Sequence, residues 1–88
     1  MRVDTVDADG VDETWTETRG RLVRVVTKRD FGAAMAFVNR VALVAETIGH
    51  HPDIEISWNR VTLRLWTHDA GKVTDLDHDL ARRIDEVV

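Results

Sequence analysis

Polar and apolar positions along this chain change period three times, and the changes, with the breaks between paired strands, mark its elements. "TWTETRGRLVRVVTKRD", residues 14–30, reads as two strands broken at Gly20. Leu22, Val23, Val25 and Val26 supply the apolar and β-branched content, although the alternation is imperfect. Asp30 then sits where an N-cap belongs, and "FGAAMAFVNRVALVAETI" follows with helical spacing. At about 100° per residue, Phe31, Ala34, Met35, Val38, Val41, Ala42 and Ala45 fall on one face. Phe37, Val44 and Ala33 fall on a second side, with Leu43 and Ala36 further round. A helix apolar on several sides needs cover on several sides. A short chain has little of its own to provide it, so a second subunit is expected against this helix. Gly49 stands where a C′ glycine ends a helix.

Strand alternation resumes in "IEISW", with Ile54, Ile56 and Trp58 on one side and Glu55 and Ser57 on the other. A turn is expected at Asn59 and Arg60. "VTLRLWTH" alternates again: Val61, Leu63, Leu65 and Thr67 face one way, Thr62, Arg64, Trp66 and His68 the other. After the loop "DAGK", Thr74 and Asp77 have the spacing of a capping box, with Asp in place of the usual Glu. The last helix is amphipathic through Leu76, Leu80, Ala81, Ile84 and Val87. The order β-β-α-β-β-α predicts an α+β fold, a four-stranded antiparallel sheet with helices packed on one face.

Composition narrows the function. With 88 residues a single domain is expected, and a chain of this size buries only about 60% of its unfolded surface. There is no cysteine, which excludes disulfides, thiolate metal sites and thiol nucleophiles. No apolar run is seen to approach the roughly 18 residues of a membrane span, and the opening "MRVDTVDADGVDE" lacks the apolar core of a signal peptide. A cytoplasmic protein is expected. Net charge is −4, and residues 1–13 hold all of it: five acids against Arg2, leaving eleven acids and eleven bases in residues 14–88. That opening reads as an acidic, loosely packed segment ahead of one domain at 14–88. Nothing resembles the basic field of a nucleic-acid-binding surface.

The junction "AETIGHHPDIEISW" carries the candidate chemistry. Pro52 disfavours helical backbone at His51, so the histidine pair leaves the helix on a turning chain. His68 lies at the end of the last strand and Asp77 follows in the first turn of the last helix, and the loops are expected to let the three imidazoles converge there. Metal binding, nucleophilic hydrolysis and metal-free proton transfer are the chemistries to weigh against a purely capping and packing role. The pair lacks H-x-x-x-H spacing for a metal, and no G-x-S-x-G elbow is present. Imidazole titrates near neutrality, so it can both take and give a proton.

Seven residues at fixed spacing add to this. Glu46, His50, His51, Pro52, Trp58, His68 and Asp77 form E-x3-H-H-P-x5-W-x9-H-x8-D, which resembles the signature of the pterin-4a-carbinolamine dehydratases. The flanking stretches from Trp15 to Val88 are similar to that family as well. The resemblance implies dehydration of a 4a-hydroxytetrahydropterin to the quinonoid dihydropterin, with no metal and no bound cofactor, in tetrahydrobiopterin recycling. It implies that His50 and His68 form the acid–base pair and that His51 holds the substrate. Asp77 would orient the third histidine, with Glu46, Pro52 and Trp58 around the pterin. It further implies a homo-oligomer, dimer or tetramer, through the long helix. The family's N-terminal helix is expected to be absent or replaced in residues 1–13. Two alternatives stay open: an oligomeric interaction protein, and a pterin-binding module without turnover.

Overall fold

A computed structural model describes residues 14–88 of the chain. The acidic opening, and with it the expectation of a missing N-terminal helix, lies outside the described residues. The elements run β1 (Thr16–Thr18), β2 (Arg21–Thr27), α1 (Phe31–Ile48), β3 (Asp53–Ser57), β4 (Arg60–Leu65) and α2 (Asp75–Asp85). The strands form one antiparallel sheet in the order β1-β2-β4-β3. This is the α+β architecture that the hydrophobic pattern predicts.

Strand parity sets the two faces. Leu22 and Val26 of β2 and Val61, Leu63 and Leu65 of β4 point inward and are buried. They meet Ala34, Phe37 and Val41 of α1 and Leu80, Ala81 and Ile84 of α2 in one core. Each large side chain fully buried there, such as Phe37 or Leu63, contributes about 1.5–3 kcal/mol relative to its exposed state. Arg24 shares the inward face of β2 and is paired by Asp85 of α2, which also accepts from Trp15 Nε1 at 2.8 Å. These contacts tie both ends of the described chain to the core edge.

The helix termini follow their sequence signals. Asp30 Oδ1 accepts from the Ala33 N–H at 2.8 Å. At the other end Gly49 takes φ 71°, the left-handed conformation that suits glycine. The His50 N–H then reaches back to the Ala45 carbonyl at 3.2 Å. Thr74 caps α2, and the Asp77 side chain closes the box by accepting from the Thr74 N–H at 2.9 Å.

Packing corrects several details of the pattern. The buried stripe of α1 is Ala34, Phe37, Val41 and Ala45. Phe37, placed on a second side by the wheel, is at the centre of the core, while Phe31 is 50% exposed and Ala42 lies on the open side. The stripe is centred where the two-helix layer meets the sheet, which the wheel alone does not locate. The hairpin turn falls at Trp58–Asn59, one residue early, because Ser57 pairs with Arg60. Leu76, counted on the apolar side of α2, is 55% exposed in its first turn. α1 is also a correction to the membrane reading: its 18 residues have a mean hydropathy of 1.4, enough by length and composition to cross a bilayer. Its charges are limited to Arg40 and Glu46, and alanines raise its mean hydropathy. Its apolar stripe is occupied by the sheet and α2.

Candidate active site

Three chain reversals converge on the end of the sheet where β4 stops. α1 ends at Gly49, which swings His50 off the helix axis. Pro52 keeps His51 extended and leads into β3. Beyond Leu65 the chain leaves the ladder. Thr67 makes an isolated bridge to Lys72, and residues 68–71 turn between them. The capping box of α2 follows at once.

Asp77 is the centre of this region. It is fully buried, and all its described partners are donors. Oδ1 lies 2.6 Å from His50 Nε2. Oδ2 accepts from the Thr67 hydroxyl at 2.8 Å and from the Thr74 N–H at 2.9 Å. Thr67 and Thr74 Oγ1 are 2.6 Å apart. Burial acts to raise the Asp77 pKa. The hydrogen bonds from His50, Thr74 and Thr67, and the charge of His50, more than offset it and hold the carboxyl below its ordinary value. Asp77 is therefore an ionised, interior carboxylate. Its histidine partner is His50 rather than the third histidine, a correction to the expectation carried by the motif.

The neighbouring pair repeats the contact in the open. His51 Nε2 lies 2.6 Å from Glu46 Oε2, with the side chains 58% and 74% exposed. Glu46 is one turn back from the end of α1, so the helix itself sets this spacing. His68 is exposed and lies flat on Trp66, with ring centroids 4.3 Å apart and planes 10° from parallel. The Arg21 guanidinium lies 3.9 Å from the same indole. Among the described residues, His68 makes no hydrogen bond to His50 or His51. It is linked to them through the backbone, as the chain neighbour of Thr67, whose hydroxyl binds the partner of His50.

The structure thus groups His50, Asp77, Thr67 and Thr74, sets His51 and Glu46 beside them, and places His68 one residue from Thr67. It does not bring Trp58 to this end. Trp58 follows β3 while His51 precedes it, and five strand residues span about 16 Å. Trp58 has φ 53° and is 64% exposed, so it shares neither the Ile54/Ile56 face nor a wall with the histidines of its own chain. Pro52 is half-buried at the start of β3. Thr67 and Trp66 are the residues that motif reasoning left without a role. Strand parity carried the signal for both, placing Thr67 inward and Trp66 beside His68. Among the described residues no three His, Asp or Glu side chains are grouped as metal ligands would be. An open groove of about 230 Å³ lies between the ends of the helices, lined by Leu43, Val44, Thr47, Arg83, Glu86 and Val87. None of the seven motif residues lines it.

The family described as pterin 4 alpha carbinolamine dehydratase matches residues 4–87, and the chain belongs to that family. A relative from Acidobacterium capsulatum, named "Putative pterin-4-alpha-carbinolamine dehydratase", is 54% identical over 74 residues, covering 84% of this chain and 80% of its own. One of the same name from Nocardia farcinica is 52% identical over 73 residues, with 83% and 77% covered. Among solved structures, a transcriptional coactivator/pterin dehydratase from Brucella melitensis superposes with TM-score 0.78 at 33% identity, covering 83% of this chain and 80% of its own. A pterin dehydratase-like protein identified as a RuBisCO assembly factor in the alpha-carboxysome has TM-score 0.68 at 18% identity, with 85% and 87% covered, a likeness of fold alone.

Proposed function

We propose that this protein dehydrates a 4a-hydroxytetrahydropterin to the quinonoid dihydropterin and water by histidine acid–base catalysis, in tetrahydrobiopterin recycling in the cytoplasm. The observation that carries the proposal is the His50–Asp77 contact. A ring on the edge of solvent is held by a buried, ionised carboxylate, in a chain of the dehydratase family. The reaction needs two proton transfers. A ring nitrogen loses a proton as the C4a–O bond breaks, and the departing oxygen gains one. His50 and His68 take these two roles, and His51, backed by Glu46, binds the substrate. Asp77 holds His50 and would stabilise its cation. Acid and base groups so placed typically contribute ~10²–10⁴-fold, which suits an intermediate that already loses water slowly unaided.

Self-association through the open side of α1 belongs to the same proposal. Leu43 is 70% exposed and Phe31 50% exposed on that helix. The experiment is to generate the carbinolamine with an aromatic amino-acid hydroxylase and follow its ultraviolet change. The wild-type protein should accelerate the loss of water, and His50→Ala and His68→Ala should each lose most of that acceleration. Equal rates with and without the protein would reject the enzymatic reading and favour a binding or assembly role.

A further inference from the structure

The hydrogen-bond network around Asp77 has a direction, and that direction fixes which atom of His50 is available for chemistry. An ionised carboxylate can only accept. The Thr67 hydroxyl, 2.8 Å from Oδ2, must therefore spend its single proton on Asp77. Its 2.6 Å contact with Thr74 is then donated by the Thr74 hydroxyl, which in turn accepts from the Leu76 N–H at 3.3 Å. Each hydroxyl is committed once as donor and once as acceptor. On the other carboxylate oxygen the same rule applies to His50. Nε2, at 2.6 Å from Oδ1, must carry a proton whether the ring is neutral or cationic. In the neutral ring the unprotonated nitrogen is then Nδ1. Among the described residues Nδ1 has no hydrogen-bond partner, and the His50 side chain is 15% exposed.

We infer that His50 exchanges its proton through Nδ1, and that Thr67, handed its geometry by Thr74, is a positioning residue that locks His50 in the Nε2–H tautomer by fixing the rotation of the Asp77 carboxylate. Without the Thr67 hydroxyl, Oδ2 keeps only the Thr74 N–H, and the plane of the carboxylate is no longer held from two directions. The ring it aims would lose its registry with the reacting atoms. The same hydroxyl sits on the residue before His68, so one threonine sets the position of Nδ1 while its neighbour presents the other imidazole. The catalytic half of this inference rests on the proposed dehydratase activity; the tautomer half does not.

The test uses the full chain labelled with ¹⁵N-histidine. Long-range ¹H–¹⁵N correlation spectra, recorded where the His50 ring is neutral, report which nitrogen is pyridine-like. The wild type should show Nδ1 unprotonated and Nε2 protonated. Thr67→Val should shift His50 toward a mixture of tautomers and lower the dehydration kcat about tenfold or more with little change in KM. Thr67→Ser should restore both. A wild-type His50 protonated at Nδ1 would overturn the inference without any mutant. So would a folded Thr67→Val protein that keeps both the tautomer and kcat. If the wild type shows the expected tautomer and Thr67→Val loses it, but no preparation dehydrates the pterin, the positioning role stands and the dehydratase reading falls.

Discussion

His50 and His51 are adjacent, and each holds a carboxylate at 2.6 Å through Nε2, yet the two pairs are different physical objects. Asp77 is fully buried and its histidine 15% exposed, whereas Glu46 and His51 are 74% and 58% exposed. In the open, water competes for both partners and salt screens what remains, so such pairs contribute between nothing and about 1 kcal/mol. Inside, the attraction is less screened, but removing one partner leaves the other without compensation. Distance alone would rank the pairs as equal. Burial, and the two further donors on Asp77, decide that one is part of the architecture while the other is held only loosely at the surface.

This contrast can be broken or sharpened by measurement. The largest stability effect should come from Asp77→Ala, which breaks Asp77's half of the capping box at the start of α2 and leaves His50 and Thr67 without their acceptor. Losses of about 1 kcal/mol for the cap and 1–3 kcal/mol for the stranded groups give a drop of about 2–4 kcal/mol in urea unfolding. A drop below about 1 kcal/mol would show that Asp77 is no better held than Glu46. Next comes pH. The folded-state pKa of Asp77 is depressed, so its contribution is present above the unfolded carboxylate value of about 4 and is lost as pH falls through the folded value. The stability gap between wild type and Asp77→Asn should therefore be widest near neutrality and narrow as the solution is acidified below about pH 4. A gap that widens on acidification would reverse the sign assigned here. The smallest effect belongs to Glu46→Gln: less than about 1 kcal/mol, and vanishing in molar salt.

Much of this was legible in the residues because it is local. Asp30, Gly49 and the Thr74/Asp77 box act within a few positions of themselves, and their geometry follows from their spacing. The inward set Val61, Leu63 and Leu65 follows from the two-residue period. What failed depended on partners distant in sequence. The centre of the α1 stripe at Phe37 is set by where sheet and α2 meet, not by the wheel. Trp58 continues the alternation of Ile54 and Ile56 on paper, but register places it in the turn. Asp77 could be seen as a cap from three residues away. Its partner lies 27 residues back, across the β3–β4 hairpin, and a spacing motif cannot tell one histidine from another.

That separation bears on how the region is assembled. Drawing together two points 27 residues apart in a free chain costs loop entropy. Once β3 and β4 have zipped, most of the intervening segment is already closed and the remaining search is short. The contact should therefore form late and fasten a ribbon that already exists. Amide exchange at Thr74 and in the first turn of the last helix should then open together with that hairpin rather than ahead of it.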